Sequence, residues 1–557
     1  MTQPVPKRSL SFAFLAIFIA LAFPLLIEIT FSDHVREGEY NSRLGWALIL
    51  MFIGLMIRNA RVIKVLLIPF IIGGSIDIGY AVSFGGVFTT ATLEAVFNTD
   101  SNEALEYISS YASLPLTLIL SFYWLSLIFV LRDLQFNFPQ SKARTSFLVI
   151  GALLTLTAGY RITVMEKYHD TIPGVLGSMP SYYKGSMGLQ QEIALRKSLI
   201  ENTLADAQIS QPELAQTYIF VIGESMNRNH MSVYGYHRNT TPFLNQLDES
   251  SVIFKNVISS HAQTNASLRV ALTSASATEK QSNHFREALS IIDTANMAGF
   301  KTWWISNQQP MRATIASIAG QSDRTQFISN DYQGVEVNRY DGFMLPYIEE
   351  ALADKAKHKV IFIHMMGSHA QYSNRYPQRF EYFTDNHVKG YQDDLSQGKV
   401  DSINEYDNSI LYTDSVLHDT WKLLTQDTAE IKAFTLFSDH GEEVYDQINI
   451  KGHSPDNVTA NMLEVPLITW TSSGFAKHKE KILSAMKDNQ TQAFRLDNLY
   501  HFATDLIGIQ STLVDRKKSL ASTEFEALQE RKVYNQSYEQ TLRYRIQAIK
   551  PAAISKN

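Results

Sequence analysis

Five apolar runs crowd the first 164 residues, at 10–30, 44–57, 63–82, 115–131 and 146–164. Crossing the hydrocarbon core takes about 20 apolar residues, so each run is near spanning length. The second is the shortest and must borrow flanking residues to cross. A chain built this way has to place helices in a bilayer, where only helices and closed barrels satisfy every backbone polar group. Basic residues then set the orientation. Lys7 and Arg8, Arg58, Arg61 and Lys64, and Arg132, Lys142 and Arg144 fall on one side, while the opposite loops offer only Arg36 and Arg43. The positive-inside rule makes the first side cytoplasmic, and an odd number of spans carries everything after residue 165 to the outside. A cleaved signal peptide would account for the first run alone, but no small-residue cleavage site follows it and four more spans do. The lack of an internal repeat speaks against a transporter.

Two segments of this half are more than connectors. The loop 83–114 interleaves Thr92, Glu94, Thr99, Glu103 and Glu106 with apolar residues, the pattern of a helix lying at the membrane surface. Its carboxylates are either solvated bystanders or functional groups. The stretch 166–216 begins with Tyr168, Tyr182 and Tyr183, which suit the headgroup region, and continues as an amphipathic pattern through Ile193, Leu195, Leu199 and Ile200. It reads as an interfacial bridge between a membrane domain, 1–165, and a soluble domain, 217–557. The whole chain carries a net charge of −6, with no basic stripe to bind nucleic acid. It has no cysteine, which excludes disulfides, thiolate-bound zinc and a thiol nucleophile.

The soluble half changes rhythm. Short β-rich apolar runs at 217–222, 301–305, 359–363, 433–437 and 465–470 alternate with helical stretches, which predicts an α/β domain around a mainly parallel sheet covered on both faces. Ligands of such sheets bind beyond the carboxyl ends of the strands. There the first run leads into Gly223-Glu224-Ser225, the third into His364 and then Gly367-Ser368-His369, and the fourth into Ser438-Asp439-His440-Gly441-Glu442, with His453 shortly after. Each placement alone reads as easily as a cap or a hydrogen-bonding pair. Together they make an oxygen and nitrogen donor set that suits zinc or manganese. Group transfer also needs a nucleophile. Thr264 precedes a helix-like pattern and would gain from the positive end of the helix dipole, with Ser225 and Ser267 as rivals. Helix capping is the plain alternative for all three.

These residues resemble the phosphoethanolamine transferases, membrane members of the alkaline phosphatase and sulfatase superfamily. The resemblance runs the full length and is carried by Ile222-Gly-Glu-Ser-Met-Asn-Arg-Asn-His-Met-Ser-Val-Tyr-Gly-Tyr-His-Arg-Asn-Thr-Thr-Pro242. His364-Met-Met-Gly-Ser-His369 with Asn374-Arg-Tyr-Pro377, and Phe437-Ser-Asp-His-Gly-Glu442, carry it further. It implies zinc ligands at Glu224, Thr264, Asp439 and His440, with Thr264 also the nucleophile, 40 residues after Glu224 as is usual in the family. It assigns His364, His369 and His453 to a second zinc or to the substrate phosphate, and Thr99 and Glu103 to the lipid headgroup. Ala95 departs from the Asn of many relatives. The missing disulfides, the segment 300–311 and the run Asp439 to Asp446 look nearer the branches that modify lipopolysaccharide core heptose or periplasmic glucans than the lipid A branch.

The resemblance further implies a bacterial inner-membrane enzyme with a cytoplasmic N-terminus and a periplasmic catalytic domain. Its donor would be phosphatidylethanolamine, its acceptor lipopolysaccharide or a periplasmic glucan, and its intermediate phosphoethanolamine on Thr264. It would work with one or two zinc ions, or with manganese. A phosphoglycerol transferase of the lipoteichoic-acid-synthase type and a catalytically silent membrane receptor are the competing expectations. The absence of cysteine and of a Ser-x-Pro-x-Arg motif speaks against a sulfatase.

Overall fold

The computed structural model describes residues 8–32, 38–57, 59–88, 92–93, 96–97, 111–132, 134, 142–165, 167–168, 171–185, 189–202, 207–277, 284–308, 314–328, 340–391 and 395–543. They form two compact units that divide at residues 187 and 188.

The first unit is helical. Its elements are α1 (Arg8–Phe31), α2 (Glu39–Ile57), α3 (Ala60–Phe84), α4 (Leu114–Arg132), α5 (Lys142–Thr163) and α6 (Gly174–Gly185). Among the described residues, α1 to α4 are long and apolar enough to span, and α5 contains a shorter apolar stretch, Leu148–Thr163. At 22 residues, α5 still extends about 33 Å at 1.5 Å per residue. Thr99, Glu103 and Ala95, and most of the loop predicted to lie on the membrane, fall outside the described residues.

Arg43 corrects the reading of the outer loops. It is not a loop cation: α2 begins at Glu39, and the guanidinium is buried inside the bundle. It pairs with Glu28 of α1 and Glu39 of α2 at 2.7 Å and with Asp77 of α3 at 3.0 Å. Three carboxylates around one guanidinium leave negative charge over, and the start of α6 meets it. Gly174 N–H donates to Glu39 at 2.8 Å and Val175 N–H to Asp77 at 3.0 Å, so two of the unsatisfied donors of a helix end find anions. Gly174 sits at φ +57°, and a Cβ there would lie 1.9 Å from Asp77 Oδ2. This shell buries the polar first turn that brings α2 to 19 residues, long enough to span.

The segment read as a bridge divides. Helix α6 packs in the first unit, with Leu176 against Gly73 of α3. Helix α7 (Leu189–Asn202) belongs to the second, where buried Arg196 pairs with Asp293 at 3.4 Å and Glu192 with Arg286 at 3.1 Å.

The second unit is a three-layer α/β domain. Seven strands, β1 (Gln216–Gly223), β2 (Ser251–Ile253), β3 (Lys301–Ser306), β4 (Arg324–Phe327), β5 (His358–His364), β6 (Ile431–Ser438) and β7 (Leu467–Thr471), form one sheet in the order β2-β7-β6-β1-β5-β3-β4. Alternate residues of β1 serve opposite cores. Tyr218, Phe220 and Ile222 pack with α8 (Thr264–Ala271) and α9 (Ile291–Met297), while Ile219 and Val221 pack with α10 (Leu345–Ala353) and the long α11 (Gln397–Gln426). Burial on both faces is why these strands read as unbroken apolar runs. Six strands run one way and β7, antiparallel to both β6 and β2, runs the other, so the sheet is mixed. The chain between β6 and β7 forms loops and two two-residue strands without a helix, and a parallel return needs a crossover, usually helical.

Removing the central cation of the first unit should be costly. Arg43→Met is expected to destabilise it by about 3–5 kcal/mol, because it strands buried carboxylates. Exposed Arg61→Met should be close to neutral. Unfolding titrations of the two purified variants in detergent check this.

Candidate metal centre and active site

Strand register builds the site. Ile222 of β1 pairs with His364 of β5, and Gly223 with Ser438 of β6, so Glu224, the His364 loop and Asp439 emerge at one level on the carboxyl edge. The turn after β1 is tight. Ser225 takes φ +57°, a left-handed conformation that costs a non-glycine residue about 1–3 kcal/mol unless its surroundings hold it. They do: its N–H donates to Asp439 Oδ1 at 3.1 Å, its hydroxyl to Glu224 Oε1 at 2.9 Å, and its carbonyl accepts from Tyr406 at 2.6 Å. From the other side, Gly367 closes on Glu224. A Cβ on Gly367 would lie 2.7 Å from the Glu224 carbonyl oxygen, which accepts from Ser368 N–H at 3.0 Å.

Glu224, Asp439 and His440 converge, all buried. His440 Nε2 lies 3.4 Å from Glu224 Oε1 and 3.2 Å from Asp439 Oδ2. Thr264, first residue of α8, brings its hydroxyl to 3.3 Å from both Glu224 Oε2 and His440 Nε2. This donor set fits a divalent ion. Asp439 Oδ2 is buried yet accepts no hydrogen bond. His440 Nδ1 is engaged at 2.8 Å by the Gly441 carbonyl, which makes it the donor and leaves the Nε2 lone pair facing the carboxylates. A lone pair and anionic oxygens converging in a dry site call for a cation between them. The charges say the same: burial, and then Asp439, push the Glu224 carboxyl above its ordinary value.

The remaining histidines are placed unequally. His453 packs on His440 with ring centres 4.1 Å apart, and its Nδ1 meets Glu442 Oε2 at 2.7 Å. His440, Glu442 and His453 form a second group of close ligand atoms. His369 is half-buried, with its Nδ1 buried and unpartnered, and feels the charge of Glu224. His364 sits one strand residue below the edge, with Nδ1 3.2 Å from Ser306 Oγ and Nε2 unpartnered. Burial holds His364 and His369 down to about 4 and His453 to about 3, so all three are neutral imidazoles at physiological pH. The rival nucleophiles are otherwise occupied. Ser225 is fully buried, and Ser267 donates to the Asp439 carbonyl at 2.6 Å. Thr264 alone of the three is partly exposed.

Glu442 ends the fourth motif, and nothing local in the sequence gives it a role. Its carboxylate accepts from Tyr372 at 2.8 Å and orients His453, while burial pushes it up to about 7. Gln308, within a stretch read only as a branch marker, donates to Glu224 Oε2 at 3.0 Å. His230 also went unassigned. It is buried between Asp407 at 2.6 Å and Asp446 at 3.2 Å, and Arg238 and Tyr236 share Asp407. The one local signal for this cluster was the density of Tyr, His and Arg at 234–238.

Known proteins resemble both parts of the chain. Residues 216–509 match the sulfatase family model, and residues 46–172 match the model "Phosphoethanolamine transferase EptA/EptB". Phosphoethanolamine transferase EptC of Escherichia coli (strain K12) is 31% identical over 471 residues, 80% of each chain. The zinc complex of the periplasmic domain of EcEptC superposes with a TM-score of 0.55 at 31% identity, covering 59% of this chain and 92% of that one. The integral membrane lipooligosaccharide phosphoethanolamine transferase A of Neisseria meningitidis shares the fold over 92% of this chain and 98% of its own, with a TM-score of 0.65 and 19% identity.

The His230 cluster has a pH signature. Burial opposes charge on His230, but Asp446 and Asp407 outweigh it and raise the imidazole to about 10. A group raised in the folded state contributes fully below its unfolded value, about 6.5, and loses that contribution as pH rises towards 10. His230→Gln is therefore expected to cost about 3–5 kcal/mol near pH 6, and the gap from wild type should close as pH approaches 10. Unfolding of both proteins at pH 6, 8 and 10 tests the sign.

Proposed function

The chain belongs to the phosphoethanolamine transferases, membrane enzymes of the alkaline phosphatase and sulfatase superfamily, and we propose that it transfers phosphoethanolamine from phosphatidylethanolamine to a cell-envelope glycan through Thr264. The observation that carries this is the Thr264 hydroxyl, partly exposed and 3.3 Å from both a buried carboxylate and a buried imidazole. Glu224, Asp439 and His440, with Thr264 itself, would hold zinc. Zinc there supplies Lewis-acid stabilisation of the ionised hydroxyl and of the phosphoryl charge.

Thr264 Oγ gives up its proton and attacks phosphorus, the bond from phosphorus to the glycerol oxygen breaks, and diacylglycerol leaves as that oxygen takes up a proton. An acceptor hydroxyl then gives up its proton, attacks the phosphoethanolamine-threonine and returns the Thr264 oxygen. His453, its Nδ1 held by Glu442, stands against His440 beside the place where these protons move. His369, neutral and unpartnered at Nδ1, is suited to contact the phosphate. His364 lies one step further back, and its part is to hold the edge rather than to meet substrate.

The basic residues between spans support a cytoplasmic N-terminus and a periplasmic catalytic unit. A lipid donor explains the anchor: holding both at one surface raises their effective concentration. Thr99 and Glu103 are retained as proposed headgroup contacts. The motifs at 300–311 and 439–446 favour a lipopolysaccharide-core or periplasmic-glucan acceptor over lipid A.

Three outcomes follow. Mass spectrometry of protein incubated with phosphatidylethanolamine should find phosphoethanolamine on Thr264, and Thr264→Ala should lower transfer by a factor of about 10,000 or more. Full activity of that variant would remove Thr264 from the mechanism. Labelled phosphatidylethanolamine should be consumed in preference to labelled phosphatidylglycerol. The reverse preference would make the chain a phosphoglycerol transferase, and no transfer with no bound zinc would make it a silent receptor.

A further inference from the structure

The end of β3 sends three consecutive polar residues to three parts of the site. Ser306 Oγ lies 3.2 Å from His364 Nδ1. Asn307 donates to Asp341 Oδ1 at 2.9 Å, and Asp341 accepts the N–H groups of Met366 and Gly367 at 2.8 and 2.9 Å, which fixes the loop that closes over Glu224. Gln308 reaches Glu224 itself. Its Nε2 donates to Glu224 Oε2 at 3.0 Å and to the Met365 carbonyl at 2.8 Å, with the side chain buried.

An amide nitrogen has two hydrogens, and both are committed here. The Met365 carbonyl therefore fixes which end of the amide faces Glu224: a flipped amide would set two oxygens against each other. Glu224 is held at both oxygens, Oε1 by Ser225 and Oε2 by Gln308. The terminal torsion of a glutamate is otherwise broad, so a lone carboxylate would wander among binding modes. A neutral donor also suits this place. A lysine or arginine would neutralise Glu224 and compete with a metal, and a carboxylate would add repulsion.

We propose that Gln308 is a positioning residue that sets the Glu224 carboxylate for zinc and for the Thr264 hydroxyl. The inference rests on the reading of Glu224 as a zinc ligand and Thr264 as the nucleophile. Residues that orient a metal ligand typically govern about 10–100-fold in metal affinity or activity.

The test uses the full chain purified in detergent. Gln308→Met keeps the length and removes the donor; Gln308→Glu keeps the shape and, when ionised, has no N–H to give. Three quantities are read: zinc affinity by chelator competition, kcat and KM for phosphatidylethanolamine in mixed micelles, and thermal unfolding of the zinc-free protein. Gln308→Met should bind zinc about 10–100-fold more weakly, and both variants should lose kcat with KM for the lipid unchanged. Zinc-free Gln308→Met should unfold close to the wild-type temperature, and zinc-free Gln308→Glu lower, because its carboxylate faces Glu224. Wild-type zinc affinity in Gln308→Met, or a wild-type kcat in Gln308→Glu, would overturn the proposal. So would lowered zinc-free unfolding in both variants with folded molecules that bind zinc as wild type does, because that is a packing role only. These results leave the parent reading intact. It fails separately, if the wild-type protein neither binds zinc nor carries phosphoethanolamine on Thr264.

Discussion

Two carboxylates, Glu224 and Asp439, are buried together at the edge of one sheet, and the rest of the catalytic unit is arranged to keep them there. Burying a charge without a partner is among the costliest things a fold can do. The chain spends a strained Ser225, a glycine at 367, a tyrosine hydroxyl from α11 and an amide from β3 on fixing this pair. None of these groups is a cation. Each accepts the geometry and leaves the charge unanswered, and that is the condition for binding a metal firmly rather than merely packing a core.

The membrane unit meets the same difficulty with the opposite solution. Glu28, Glu39 and Asp77 are also buried, but the chain supplies its own cation in Arg43 and finishes the balance with backbone donors from α6. Every group in that cluster is spoken for, so it braces helices. The candidate metal centre differs in having a carboxylate oxygen, Asp439 Oδ2, that accepts no hydrogen bond among the described residues. Two acidic clusters in one chain thus separate into a structural and a chemical one by satisfaction, not by composition.

That distinction also marks what was legible in the residues. Strands buried on both faces announce themselves as apolar runs, and polar motifs follow at their ends, so β1, β3, β5 and β6 and the convergence of Glu224, Asp439 and His440 could be read directly. The direction of β7 could not, because it depends on what the chain does between residues 438 and 467 rather than on the strand. Arg43 was misjudged because charge near an apolar run looks like a loop until three carboxylates from separate helices close around it. Gln308 and Glu442 escaped assignment for a related reason. Gln308 acts on a residue 84 positions away, and Glu442 orients a histidine 11 positions on, and neither spacing is a local period.

Exposure, finally, divides the labour within the site. A metal ligand benefits from burial, which strengthens its hold on a cation, but a nucleophile has to meet phosphorus. Ser225 and Ser267 lie as close to the acidic pair as Thr264 does in chemical terms, yet one is sealed in the turn after β1 and the other is tied to the Asp439 carbonyl. Thr264 stands at the first turn of α8, where the helix carries its hydroxyl to the rim. The same strand edge therefore buries the carboxylates and leaves partly exposed the one hydroxyl that touches both Glu224 and His440 among the described residues, which is what the proposed division between metal ligands and nucleophile requires.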